Sequence, residues 1–352
     1  MEDIKLEEAL SFLKDKIMQL NVCIFGVSGY TGANLLYYLL KHPNINVVGA
    51  FGDSSSGRKL KELFPNYHNI PNIDISDYKS FNFDNVNLIF SCLPHGYFQK
   101  NIISNINTSI PIIDLSGDFR LKDLEEYKYF YGEAHVAQSH AKNFVYGLSE
   151  IYRDEIKKSK FIANPGCYPT SILLPLIPLL KKGLINNQHL VIDSKSGVSG
   201  AGMKLEKQYL YTEVNENVLS YDIKKHKHYA EINQELLKFG KNSFTFVPHL
   251  VPVTQGLQST IYLDKENELP VYKKALQDFF KKDSFVKIYK NGVPSFSDVI
   301  KTNNIAINIF EDYSKKKIII VSCIDNLIKG AAGQAIQNMN IMFGFTESES
   351  LI

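Results

Sequence analysis

Asn21 to Val27 is a short apolar run that stops at Gly26-Val27-Ser28-Gly29-Tyr30-Thr31-Gly32 and passes at once into the apolar stretch Ala33 to Leu40. A second apolar run, Ile45 to Phe51, follows. Strand, glycine turn, helix and strand in this order make the unit of a dinucleotide-binding fold, which few other architectures admit. The glycines let backbone approach a pyrophosphate, and the helix N-terminus receives its charge. The spacing is G-x-x-G-x-x-G, a variant of the usual fingerprint, so the strand-to-helix context carries the reading against a plain tight turn. The second strand ends at Gly52-Asp53-Ser54-Ser55-Ser56-Gly57-Arg58-Lys59. Asp53 suits the ribose 2′-OH of NAD, while Ser54, Ser55 and Arg58 suit the 2′-phosphate of NADP, and both remain open.

Further α/β alternation follows. Leu88 to Leu93 reads as a strand ending in Pro94-His95-Gly96, and Pro111 to Leu115 as one ending in Ser116-Gly117-Asp118-Phe119-Arg120. In a doubly wound sheet the carboxyl ends of strands line the ligand crevice, which places His95 and Arg120 for function. His95 is equally readable as a turn residue.

Phe161-Ile162-Ala163 then stops at the turn Asn164-Pro165-Gly166, and Cys167-Tyr168-Pro169-Thr170 leads into an apolar helix body, Ile172 to Leu180. Pro169 fits a first helical turn, and Lys181-Lys182-Gly183 supplies the stop. Cys167 therefore sits at a helix N-terminus, where open N–H groups favour a thiolate nucleophile. The alternative is a buried cysteine acting as a small hydrophobe.

His189 to Lys195 reads as a strand running into Ser196-Gly197-Val198-Ser199-Gly200-Ala201-Gly202, a loop of small residues suited to an anion-binding nest, with a Lys-rich helix expected after it. His226-Lys227-His228 enters a helix with Glu231 expected in its first turn. A metal reading of this histidine pair lacks a third ligand. A base for Cys167 is the sharper reading. Phe244 to Val247 and Leu257 to Leu263 flank Pro248-His249-Leu250-Val251-Pro252, and Phe285 to Tyr289, Ile305 to Phe310 and Lys317 to Ile324 complete a largely antiparallel second sheet. Gly330 to Gly333 opens a final helix, Gln334 to Phe343, with one apolar face.

At 352 residues, the chain is long for one core, so two domains are expected. A net charge of +2 excludes a nucleic-acid partner. Cys23, Cys92, Cys167 and Cys323 form no C-x-x-C pair, so no disulfide framework is implied. No run reaches the length of a membrane span, and Met1 to Leu20 is acidic and amphipathic rather than a signal peptide. A cytoplasmic protein with a short helical extension over 1–20 is expected.

The blocks Gly26 to Gly32, Leu93 to Gly96, Asp114 to Arg120, Tyr146 to Glu150, Asn164 to Thr170, Ser196 to Gly202, Glu213 to Asn217, His226 to His228, Pro248 to Pro252 and Asp325 to Gln334 occur in one order along the chain. In this the chain resembles the N-acetyl-gamma-glutamyl-phosphate reductase family of arginine biosynthesis, over nearly everything after residue 20. The resemblance implies an α/β protein with a Rossmann-type NADP-binding domain over 21–165 and an α+β catalytic domain over 166–329. That second domain would be like those of aspartate-semialdehyde and glyceraldehyde-phosphate dehydrogenases, with 330–352 returning to the first. It implies a homodimer or homotetramer, NADP(H), and N-acetyl-glutamyl phosphate as a small-molecule substrate that acylates Cys167 and releases phosphate.

The family's catalytic histidine falls on His226, with His228 second. Arg120, Asn164, Gln255 and His249 are further substrate or catalytic positions. The cofactor is expected on Gly26, Ser28, Gly29, Tyr30, Thr31, Gly32, Ser54, Ser55, Arg58, Pro94, Ser196, Gly197, Gly200 and Asn326. Two departures stand out: Gln255-Gly256 where the family usually has Arg-Gly, and Tyr229-Ala230-Glu231 where it has Thr-Pro-Glu. A lost arginine would remove a charge-assisted bond worth about 1.5–3 kcal/mol, for which Arg58 or Lys204 are candidates to compensate. The rival readings are the sister reductase acting on a substrate one methylene longer, in lysine synthesis, and a non-enzymatic NADP-binding sensor.

Overall fold

The computed structural model describes residues 19–52, 55–65, 73–107, 109–203 and 205–352. The expected helix over 1–20, apart from its last two residues, and Asp53, Ser54 and Lys204 lie outside them. The first sheet holds β1 (Leu20–Phe25), β2 (Ile45–Phe51), β3 (Leu88–Ser91), β4 (Ile112–Asp114), β5 (Val145–Tyr146) and β6 (Phe161–Ala163). Every pairing in it is parallel, in the order β2-β1-β3-β4-β6-β5. The order reverses between β1 and β3, and a crevice opens at such a switch point, beyond the strands' carboxyl ends.

The second sheet holds β7 (His189–Gly197), β8 (Leu219–Ser220), β9 (Ser243–Val251), β10 (Leu257–Asp264), β11 (Val286–Ile288), β12 (Ile305–Glu311) and β13 (Lys317–Ile324), in the order β11-β12-β13-β10-β7-β9-β8. Only β11–β12 and β7–β9 pair in parallel, so the sheet is largely antiparallel as expected. β9 runs straight through Pro248, where a break was expected. The Pro248 carbonyl accepts from Tyr221 N–H on the side of β8, and β8 stops at Ser220. The missing N–H of Pro248 thus faces that sheet edge, where little pairing is lost.

Among the described residues, the helices of eight residues or more are α1 (Tyr30–Leu39), α2 (Leu124–Tyr131), α3 (Cys167–Lys181), α4 (Lys227–Leu237), α5 (Leu269–Phe279) and α6 (Gly333–Phe343). α3 carries Pro175 and Pro178 yet stays helical. Pro175 leaves the Ser171 carbonyl without its usual donor, and Ser322 Oγ donates there at 2.8 Å. α3 packs with Leu173, Leu176, Ile177 and Leu180 in one core with the inner face of the second sheet. α6 returns to the first sheet, where Ala335, Ile336 and Met339 share a core with Leu35 and Leu36 of α1. A π-type turn, Ile328–Ala332, precedes α6. Among the described residues, no helix is long and apolar enough to cross a membrane.

Candidate active site

A crevice of about 960 Å³ is lined from the first sheet by the turns after β1, β3 and β4, and from the second half by Ser199 to Met203, Lys227, His228 and Asn326. At its nucleotide end Gly26 has φ +78°, and a Cβ there would lie 2.6 Å from the Cys92 carbonyl oxygen. Only glycine lets the ends of β1 and β3 approach this closely. Gly29 caps α1 without a side chain to occupy the first-turn N–H groups, which leaves them for a phosphate. Ser28, Tyr30 and Thr31 share this wall with Ser55, Arg58 and Pro94. The cradle fits a dinucleotide. Gly32 is not in the wall: it lets α1 close on Gly26, whose carbonyl oxygen would lie 2.2 Å from a Cβ.

Cys167 is the first residue of α3, and Gly166 caps the helix with no side-chain bond. The sulfur lines the crevice. Its Cβ is packed so closely by Gly330 of the π-type turn that a methyl there would come within 2.6 Å. Desolvation raises the thiol pKa to about 11, against the backbone N–H groups of Tyr168 and Cys167 and the charge of Arg120, which all lower it. The helix start thus acts on the sulfur as expected, but burial outweighs it, and the resting group is a thiol.

Of the two histidines, the second choice, His228, lines the crevice and the first, His226, does not. His226 is the N-cap of α4, and its Nδ1 accepts from His228 N–H at 3.1 Å. It is buried and lies outside the crevice wall. His228 lines the crevice, and its ring lies on Gly166, where a Cβ would fall 2.3 Å from Nε2. The helix starts at Lys227, which commits His226 to the cap and puts His228 in the first turn. Desolvation, then Lys227, lowers the His226 pKa to about 4. The His228 pKa is also held well below the ordinary imidazole range, by desolvation first and then by His226, Arg120 and Lys227. Both rings are neutral at pH 7.

Glu231 falls in the second turn of α4 rather than the first. It is 1% exposed and accepts from Gly166 N–H at 2.8 Å and Tyr146 OH at 2.7 Å. Its other oxygen accepts from Arg120 at 3.2 Å. Arg120 also donates to the carbonyls of Asn164 at 2.8 Å and Leu115 at 3.1 Å. Arg120 is therefore chiefly a clamp, tying the ends of β4 and β6 to α4 through a buried ion pair. Asn164, also buried, donates to the Ala331 carbonyl at 3.2 Å and accepts from Asn338 at 3.0 Å, holding the π-type turn beside the cysteine. The signal for Glu231 was its place, with Glu235, on the face of α4 that carries Ala230, Ile232 and Leu236, since acids on a buried face demand partners.

Gly200 and Asn326 line the crevice as expected, and Asn326 bridges Gly256 N–H at 2.8 Å to Ser199 Oγ at 3.0 Å. Ser196 and Gly197 do not line it, because β7 continues through both. The expected Lys-rich helix is replaced by short turns at Lys207–Tyr209 and Tyr211–Val214. Leu205 and Tyr211 are exposed, so no buried face holds a longer helix. His249 lies in β9, outside the wall, with Nδ1 3.1 Å from Asp193 and 3.2 Å from the Ser194 carbonyl. Gln255 is half-buried and also outside the wall. Among the described residues no cluster of His, Cys, Asp and Glu could hold a metal ion.

A helix-start cysteine facing a dinucleotide crevice between a parallel and a mixed sheet defines an oxidoreductase of the semialdehyde dehydrogenase type. The family models agree: residues 21–159 match the semialdehyde dehydrogenase NAD binding domain, and residues 167–326 the semialdehyde dehydrogenase dimerisation domain. The chain belongs to the N-acetyl-gamma-glutamyl-phosphate reductase family. The reductase so named in Caldicellulosiruptor saccharolyticus is 42% identical over 340 residues, 94% of this chain and 97% of that one. That of Ehrlichia chaffeensis is 41% identical over 342 residues, 95% and 97%. A probable chloroplastic one in Arabidopsis thaliana is 40% identical over 338 residues, 95% and 84%. Among solved structures, aspartate semialdehyde dehydrogenase II of Vibrio cholerae superposes with a TM-score of 0.70 at 16% identity, covering 93% of this chain and 99% of that one. The Candida albicans enzyme, solved with NADP, gives 0.69 at 16%, covering 92% and 98%. These two share the fold.

Proposed function

We propose that the protein reduces N-acetyl-L-glutamyl 5-phosphate to N-acetyl-L-glutamate 5-semialdehyde with NADPH, through a thioester on Cys167, as a step of arginine synthesis. The observation that carries this reading is Cys167 at the open start of α3, facing the crevice with the His228 ring on the adjacent Gly166. The relatives' shared name supports the glutamyl substrate over its longer homologue.

The resting pair is a neutral thiol and a neutral imidazole. His228 takes the thiol proton as Cys167 sulfur bonds to the acyl carbon, and the bond from that carbon to the phosphate oxygen breaks. Open N–H groups at the start of α3 stabilise the oxyanion formed on the way. Bound NADPH supplies the hydride that reduces the resulting thioester. The thiohemiacetal oxyanion then re-forms its carbonyl, expels Cys167 thiolate and leaves as the aldehyde, and His228 returns the proton to sulfur. Ser28, Gly29, Tyr30 and Thr31 would hold the pyrophosphate, and Ser55 and Arg58 the 2′-phosphate, all from positions in the crevice wall. Gln255 itself lies outside that wall. An assembly of two or four copies through residues 167–326, a cytoplasmic setting, and a domain boundary at 165/166 with 330–352 returned to the first domain complete the reading.

The test is the reverse reaction: N-acetyl-glutamate semialdehyde, phosphate and NADP with wild type and with Cys167→Ser. Phosphate-dependent reduction of NADP by wild type alone is expected. Equal activity in Cys167→Ser, or none in a wild type that binds NADP, would overturn the proposal.

A further inference from the structure

The crevice wall, among the described residues, carries three cationic side chains, Arg58, Arg120 and Lys227, and no carboxylate. A wall of this sign is built for anions. Two of the three have assignments. Arg58 stands beside Ser55 at the nucleotide end, within 4.0 Å of Glu62. Arg120 gives three of its N–H groups to Asn164, Glu231 and Leu115, and its charge faces that of Glu231 at 3.2 Å.

Lys227 is the first residue of α4, directly before His228, whose ring lies on the residue preceding Cys167. Its backbone is therefore fixed next to the ring that lies on Gly166, by the same helix start. Its ammonium is held across the crevice at 3.0 Å from the ring nitrogens of His95, in the turn after β3, and lies 5.1 Å over the ring of Tyr131. Lysine offers a mobile point charge with three donors, suited to an anion that arrives and departs in each turnover.

Resting on the reductase reading, we infer that Lys227 binds an oxyanion of the substrate. The oxyanion is either the phosphoryl group displaced by Cys167 or the carboxylate at the far end of the acyl chain. This assigns the substrate charge to the middle residue of the His-Lys-His block rather than to the position of Gln255.

The test uses full-length wild type, Lys227→Met and Lys227→Arg, each checked for NADP affinity. In the reverse reaction Lys227→Met is expected to raise KM on the order of ten- to a hundred-fold for one anion partner, with Lys227→Arg recovering most of it. A rise for phosphate identifies the phosphoryl group, and a rise for the semialdehyde identifies the carboxylate. A second readout needs no turnover: protection of Cys167 from iodoacetamide by inorganic phosphate or by N-acetyl-L-glutamate. Weakened protection in Lys227→Met by the same partner supports the inference even if the reductase reading fails for lack of turnover. Unchanged KM values or unchanged protection, or a loss confined to NADP affinity, would overturn it.

Discussion

Cys167 sits where two opposing effects meet. The first N–H groups of α3 favour its thiolate, and desolvation by the packed turn at Gly330 opposes it more strongly, leaving the pKa at about 11. Alkylation of the free enzyme by iodoacetamide should therefore be slow at pH 7 and rise about tenfold per pH unit towards pH 11. A plateau already reached below pH 8 would show a resting thiolate–imidazolium pair instead. The base is the other half of this chemistry. His228→Ala should lower kcat by about a hundred- to ten-thousand-fold with the fold intact. His226→Ala should instead cost about 1 kcal/mol of stability through the lost cap, read as a lower Tm. The opposite pattern would restore His226 as the base. The H-x-H motif was legible in the sequence, but the order of its two histidines was not. That order depends on whether α4 starts at Lys227 or later, and helix starts are the least sharply encoded part of a periodic segment.

The elements that carry chemistry were easier to read than their ends. Apolar runs with polar or glycine residues at their ends, Asn44 and Gly52 for β2 and Lys316 and Asp325 for β13, placed these two strands to the residue. Pro248 within β9 and the missing helix after Gly202 were not readable, since each turns on what a neighbouring element does. Glu231 is the clearest case. Its carboxylate ties Gly166 N–H, Tyr146 and Arg120 into one clamp at the cap of α3. Removing either partner of a buried ion pair typically costs about 3–5 kcal/mol. Glu231→Gln and Arg120→Met should each lower Tm sharply, and the double variant should lose less than the sum of the two. Additive losses would show that the two side chains act independently.

Across the molecule, the turn that backs Cys167 is pinned by a second buried pair. Lys329 donates to Glu150 at 2.6 Å and to Gln337 at 2.8 Å, both fully enclosed. Arg153 continues the network to Glu347 and to Asp283, so both halves of the chain meet behind the nucleophile. Burial by itself would raise the Glu150 pKa, but Lys329 and Gln337 outweigh it and the pKa is lowered from 4.5. A carboxylate with a depressed pKa contributes stability above its unfolded pKa and loses it as pH falls through the folded one. Wild type should thus lose stability as pH drops below about 4.5, and Glu150→Gln should be less stable at pH 7 with a flatter acid limb. An unchanged slope would remove Glu150 from the acid response. Two domains were the expectation from length alone, whereas nothing in the sequence pointed to this network, because its members are separated by up to 197 positions and no local pattern links them.

The thioester on Cys167 is the step that one experiment isolates. Wild type is mixed with N-acetyl-glutamate semialdehyde and NADP in the absence of phosphate, then quenched in acid and digested for mass spectrometry. The expected result is a burst of reduced cofactor stoichiometric with subunits, an N-acetyl-glutamyl group on the peptide containing Cys167, and its release when phosphate is added before the quench. Reduction of the cofactor without any acyl group on Cys167, or an acyl group on another residue, would contradict it.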